Sequence, residues 1–113
     1  MTIDVRDIGG VHVVLLEGQV RISTQNDFKD YLDRLSVDFG AQTVLLNMAG
    51  VSYLNSAGIG IIVDSFKKFR EKSGRLTMCS LSPDIFRLFE VTRLNRFIDI
   101  FEDEIIAVEK LKV

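Results

Sequence analysis

The residue types able to do chemistry in this chain are few, and they gather in one place. The stretch VSYLNSAGIGIIV, residues 51–63, is apolar except at its centre, where Asn55, Ser56, Ala57 and Gly58 put two polar and two minimal side chains in succession. A serine hydroxyl can attack as a nucleophile, cap a helix or accept a phosphoryl group. Nucleophilic use fits poorly. Leu54-Asn55-Ser56-Ala57-Gly58 has only the second glycine of a Gly-x-Ser-x-Gly elbow, and the one histidine, His12, precedes the serine instead of following it. His12 is expected at a strand start as a hydrogen-bonded structural residue. One histidine and one cysteine, Cys79, cannot build a metal site or an intrachain disulfide, and Cys79 within RLTMCS reads as a small core residue. No Gly-Lys-Ser/Thr follows the glycines at 58 and 60, so a phosphate loop is excluded. Neither a metal nor a cofactor is expected, and the chain reads as a non-enzyme.

These residues need elements to position them. TIDVRDI (2–8) alternates apolar and polar residues, and Gly9-Gly10 then turns the chain into VHVVLLEG (11–18). Val11, Val13 and Leu15 alternate with Val14 and Leu16, so this second strand is apolar on both faces and must be covered on both. Ser23 or Thr24 can cap a helix through about Leu35, with Phe28, Tyr31, Leu32 and Leu35 on one face. TVLLNM (43–48) is a second buried strand, parallel to the first because a helix joins them. After a loop containing Ser52 to Asn55, a helix beginning near Ala57 carries Ile59, Ile62, Val63, Phe66 and Phe69 inward. It is expected to end at Ser73-Gly74, with the glycine taking a left-handed cap. RLTMCS (75–80) gives another strand, Ser82-Pro83 opens a short helix bearing Ile85, Leu88 and Phe89, and FIDIF precedes a last helix over about 102–110. The fold class is α/β: one domain over residues 1–113, with a mixed four- to five-stranded sheet and about four helices packed on it.

In that frame the polar break is a helix start. Asn55 or Ser56 can accept a hydrogen bond from an unpaired backbone N–H there, worth about 1 kcal/mol. One cap explains only one of the two residues. Glycines at 58 and 60 cost about 1 kcal/mol each inside a helix, which points to a close approach by another surface. Small residues at a helix start offer a flat platform to a protein and a favourable seat to an anion. A phosphoryl group on Ser56 would sit at the positive helix end, yet would oppose a partner docked on the same platform.

The stretch VLLNMAGVSYLNSAGIGIIV (44–63) is similar to the hallmark of STAS domains of the anti-sigma factor antagonist family: a buried strand, a turn of the form Asp-Ser-Ser/Thr/Ala-Gly and a helix opening Leu/Ile-Gly. The resemblance implies that Ser56 is phosphorylated by a partner anti-sigma factor serine kinase, which the unphosphorylated form binds so that a sigma factor is freed. It also implies a contact surface of Gln19, Arg21 and Ser23 after the second strand, Ser52, Tyr53, Leu54 and Asn55 in the loop, and Ala57, Gly58 and Gly60 with Ser56 on the helix. A phosphatase that removes the mark would be a further partner. Four commonly acidic positions differ: Asn55, Asn47 and, in Gly18-Gln19-Val20-Arg21, Gln19 and Arg21. The alternative implied by these changes is a STAS subunit of a signalling scaffold or lipid-transport complex that works without phosphorylation. Arg21 suits bidentate pairing with a phosphate on Ser56.

Composition narrows the partners. The 14 Lys and Arg against 16 Asp and Glu give a formal net charge of -2, which argues against a duplex-binding surface. No stretch approaches the ~18 apolar residues of a membrane span, and the first residues carry acids, so neither insertion nor export is expected. The expected setting is the cytoplasm, as a monomer or weak dimer. The basic run Lys67, Lys68, Arg70, Lys72 and Arg75 reads as a solvated face. Phe86, Phe89, Phe97 and Phe101 read as core or seam, with an exposed subset able to extend the binding surface.

Overall fold

In the computed structural model, which describes residues 1–112, the elements follow the order β1 (Thr2–Ile8), β2 (Val11–Val20), α1 (Gln25–Phe39), β3 (Thr43–Leu54), α2 (Ser56–Glu71), β4 (Arg75–Cys79), α3 (Pro83–Val91), a 3-10 turn (Leu94–Arg96), β5 (Ile100–Phe101) and α4 (Glu104–Leu111). The five strands form one sheet in sequence order. β1 pairs with β2 antiparallel, and every later pairing is parallel. Each parallel step moves to the next strand in the same direction with the same right-handed crossover, so α1, α2 and α3 share one face. Their Phe28, Leu32, Leu35, Ile62, Phe69, Ile85 and Phe89 bury a core against Val14, Leu16, Val44 and Leu46. The other face is closed by α4, whose Ala107 and Leu111 meet Val11, Val13, Leu45 and Cys79. The two-sided burial expected of β2 is met in this way.

Boundaries moved where glycines mislead. β3 does not stop at Met48 but runs to Leu54, so Ser52, Tyr53 and Leu54 belong to a strand end and not to a loop. Ala49-Gly50 forms a bulge within β3, where the register slips between Leu15/Asn47 and Glu17/Gly50, and a side chain at Gly50 would strike the Leu16 carbonyl at 2.7 Å. β2 likewise extends to Val20 and α1 to Phe39. At the end of α2 it is Ser73, at φ 64°, that takes the left-handed turn, and Gly74 is glycine for a different reason: an added Cβ would lie 1.9 Å from the Gly40 carbonyl oxygen. Ser23 and Thr24 do not cap α1 by side chain. The Thr24 hydroxyl turns back to accept from the Arg21 N–H (2.9 Å) and to donate to the Gln19 carbonyl (2.6 Å).

Of the basic run, Lys67, Arg70, Lys72 and Arg75 are exposed, as expected, and Lys68 is half-buried, and the run anchors neighbours. Lys68 Nζ donates to Asp33 at 2.7 Å, Lys72 Nζ donates to the Ser36 carbonyl at 2.7 Å, and Arg75 pairs with Asp99. Asp33 also accepts from Lys29 at 2.7 Å, and that hydrogen bond, followed by the one from Lys68, holds its carboxyl below the usual carboxylate range. A depressed folded pKa gives stabilisation that is present above the unfolded value and lost as pH falls through the folded one. At this solvent-screened position the contribution is about 0.5 kcal/mol. Asp33→Asn is therefore expected to lower stability by that amount at neutral pH and to match wild type in acid below the carboxylate range. Denaturant midpoints measured at both pH values check it.

Candidate functional site

Strand pairing joins the two segments that were separate in the sequence. Gln19 pairs with Tyr53 and Val20 with Leu54, and the Asn55 N–H donates to the Val20 carbonyl at 3.1 Å. The end of β2, the loop behind it and the start of α2 therefore form one surface at the carboxyl end of the parallel strands. Arg21, Ile22, Ser23, Tyr53 and Asn55 line one shallow groove there. The Arg21 guanidinium lies over the Tyr53 ring, 4.8 Å from its centroid, and its Nε donates to the Gln19 side chain. Backbone bonds from Thr24 and Gln25 to the Arg21 carbonyl, at 3.1 and 2.7 Å, make the loop a locked turn.

Asn55 is the cap. Its Oδ1 accepts from the Gly58 N–H at 2.8 Å while its Nδ2 donates to Gln25 at 3.0 Å. With that role filled, Ser56 starts α2 with an exposed side chain, and its hydroxyl has no hydrogen-bond partner among the described residues. The first turn of this 16-residue helix contains no acid, so the positive end of the dipole beside Ser56 is uncompensated.

The two glycines separate. A Cβ at Gly58 would come within 2.5 Å of Leu54 and 2.9 Å of Val20, so the close approach inferred there is made by the chain's own strand ends. At Gly60 the same atom would meet nothing within 4 Å. Leu54 and Gly58 are buried and shape the surface from below, whereas Gln19, Arg21, Ser23, Ser52, Tyr53, Ser56 and Gly60 are exposed and Asn55 and Ala57 half-buried. The residue that sequence reasoning passed over is Ile22, 86% exposed between Arg21 and Ser23. An isoleucine flanked by polar residues in a turn was the available signal.

Other candidates fall elsewhere. His12 pairs with Val44, at the opposite end of β3 from Ser56, stacks on Phe39 with centroids 4.1 Å apart and bonds to Gln42, as a structural residue would. Cys79 is buried, and burial pushes its thiol up. Phe89 is core, Phe86 and Phe101 flank an apolar groove with Leu81, and Phe97 is exposed. No group of three His, Cys, Asp or Glu able to hold a metal occurs among the described residues, and none of the described helices is long and apolar enough to cross a membrane.

Asn47 has a structural task. Its Nδ2 donates to Glu104 Oε1 at 3.0 Å, and Arg6 reaches the same carboxylate at 3.3 Å, tying β3, α4 and β1 together. A carboxylate at position 47 would face Glu104 with like charge. Asn47→Asp is expected to cost about 1–2 kcal/mol at neutral pH. The loss should shrink in acid, where a carboxyl of the new pair can take up a proton; thermal melts at two pH values read both effects.

Comparison with known proteins gives a consistent placement. The sequence profile described as the STAS domain matches residues 2–105. An anti-sigma-B factor antagonist of Listeria monocytogenes is 30% identical over 101 residues, covering 88% of each chain. An anti-sigma F factor antagonist of Paenibacillus polymyxa is 24% identical over 104 residues, covering 92% of this chain and 89% of its own. Among solved structures, an anti-sigma factor antagonist from Mycobacterium paratuberculosis superposes with a TM-score of 0.86 at 20% identity, over 99% of this chain and 94% of the other. The anti-sigma factor antagonist SpoIIAA in its unphosphorylated form superposes at 0.75 and 15% identity, over 96% and 95%, and SpoIIAA has also been solved in its phosphorylated form.

Proposed function

The chain belongs to the STAS domain family, and from that premise we propose that it is an anti-sigma factor antagonist that binds a serine-kinase anti-sigma factor when unphosphorylated and releases it when Ser56 is phosphorylated. The observation that carries this reading is the division of labour at the helix start. Asn55 supplies the cap, so Ser56 is left exposed and unbonded at the acid-free end of α2. A phosphate on Ser56 adds about -1.5 to -2 charge where helix N–H groups point, and the chain itself tolerates it. A partner seated on Ile22, Tyr53 and Gly60 does not, since a desolvated phosphate across an interface costs several kcal/mol.

On this reading Arg21 is the residue to meet the phosphate. It lines the same groove as Asn55, and stacking on Tyr53 leaves its guanidinium edge available.

The test is a capture experiment in lysate of the native organism with Ser56→Ala and Ser56→Asp as baits, followed by mass spectrometry. Alanine should retain an anti-sigma factor with a serine-kinase domain and aspartate should lose it, and the wild-type chain with that kinase and ATP should gain one phosphate at Ser56. Retention of one non-kinase partner by both baits sinks the phosphoswitch.

The second reading, a STAS subunit without a phosphorylation cycle, has its own support. The amides at 47 and 55 each donate a hydrogen bond that a carboxylate could not, so the usual acids have been replaced by residues built into the fold. Equal capture by the two baits is the result that favours it.

A further inference from the structure

We infer that β1 is a self-association edge, and that two copies of the chain pair their β1 strands antiparallel about Val5 to make one sheet running through both. β1 has a single neighbour, β2, so among the described residues its outer edge is unpaired. Hairpin geometry says which backbone groups face outward. Gly9 and Gly10, at φ 60° and 83°, form a two-residue turn, which makes Ile8 and Val11 a hydrogen-bonded pair. Hydrogen-bonded pairs with β2 then recur at Arg6, Asp4 and Thr2, because the antiparallel ladder alternates. The N–H and C=O groups of Ile3, Val5 and Asp7 therefore point away from the sheet.

A two-fold axis through Val5 uses those groups in full. Val5 faces Val5 of the second copy, and Ile3 faces Asp7 in both directions, each as a hydrogen-bonded pair. The same register sets Asp4 directly across from Arg6 of the second copy, twice by symmetry, on the α4 face of the sheet. Arg6 and Asp4 lie on that face because they stand opposite Val13 and Leu15, and Arg6 there reaches Glu104. Charged side chains normally blunt an exposed edge. Here their order selects one partner instead: a parallel in-register copy would place Asp4 against Asp4, whereas the antiparallel copy places each acid against a base. On the opposite face Val5, 40% exposed, opens onto a groove lined by Ile3, Tyr31, Leu35 and Phe39 together with charged residues of α1, and the Val5 of the second copy extends its apolar part. The occupant is thus a second copy of this chain. This edge is separated from the Ser56 platform by β2, so the inference stands or falls apart from the proposed function.

Sedimentation equilibrium of the purified chain over a micromolar-to-millimolar series tests it. Wild type should reach a dimer at the upper end. Asp4→Arg alone and Arg6→Asp alone should each weaken association about tenfold or more, since both cross-strand pairs turn repulsive. Mixing those two variants should restore dimers as heterodimers, because every pair across the axis is then acid against base. Val5→Pro removes an outward N–H and no hydrogen bond to β2, and should abolish the dimer while circular dichroism stays native. A wild-type chain that is monomeric throughout overturns the inference. So does a dimer indifferent to Asp4→Arg and Val5→Pro, or a mixture of folded charge variants that stays monomeric.

Discussion

Replacing Gly74 by alanine should remove about 3 kcal/mol of folding stability, seen as a lower denaturant midpoint at unchanged slope. The new Cβ would lie 1.9 Å from the Gly40 carbonyl oxygen and 2.8 Å from that of Gln42. Both obstacles are backbone. The Gln42 carbonyl is held by the Arg75 N–H at 2.9 Å, the Gln42 N–H by the Phe39 carbonyl at 2.9 Å, and Gly74 itself donates to the Phe69 carbonyl at 2.8 Å. Overpacking usually costs 1–3 kcal/mol, and the upper end applies where no side chain can rotate away. Gly60→Ala is the counterpart: open space around the new methyl and better helix propensity should stabilise by about 0.5–1 kcal/mol. Equal effects at the two positions would show that the packing of the α2–β4 turn against the α1–β3 turn is not what demands a glycine.

Truncation of Phe28 should cost still more, about 4 kcal/mol for Phe28→Ala against about 1 kcal/mol for Phe28→Leu. Phe28 is fully buried in the first turn of α1, in the same cluster as Val20 and Leu54, the strand-end residues beneath the site. A domain of this kind has about 5–15 kcal/mol in total, so the loss is a large share of it. Amide exchange should report it first at Gln19–Ser23, where the locked turn rests on this packing. If Phe28→Ala were to cost under about 1 kcal/mol, the surface would have to be held by its loop hydrogen bonds alone.

Much of this was readable in advance, for a local reason. The alternation in TIDVRDI, the two-sided apolar VHVVLL and the three-and-four spacing of Ile59, Ile62, Phe66 and Phe69 are statements about neighbours within one or two turns, and the elements formed accordingly. Ser82 caps α3 as its sequence implies, its side chain accepting from the Ile85 N–H at 3.3 Å. Errors arose where a residue answers to a distant one. The strand expected over 43–48 runs on to Leu54 because the end of β2 lies beside it, and Gly74 reads as a left-handed cap until the Gly40 turn is packed against it.

The candidate site divides along the same line. By itself the sequence determined that a serine and an asparagine stand at the start of a helix that follows a buried strand, because capping and periodicity are properties of contiguous residues. Only the tertiary structure decided between them: Asn55 Oδ1 accepts from the Gly58 N–H while its Nδ2 donates to Gln25, thirty positions away in the chain, which orients the amide for the cap. It alone set Gln19 and Arg21 beside Tyr53, turned Ile22 outward, and gave Asn47 to Glu104 across 57 positions. Those outcomes depend on which strands pair and which faces meet, and pairing energies between remote segments leave no periodic trace in either segment alone.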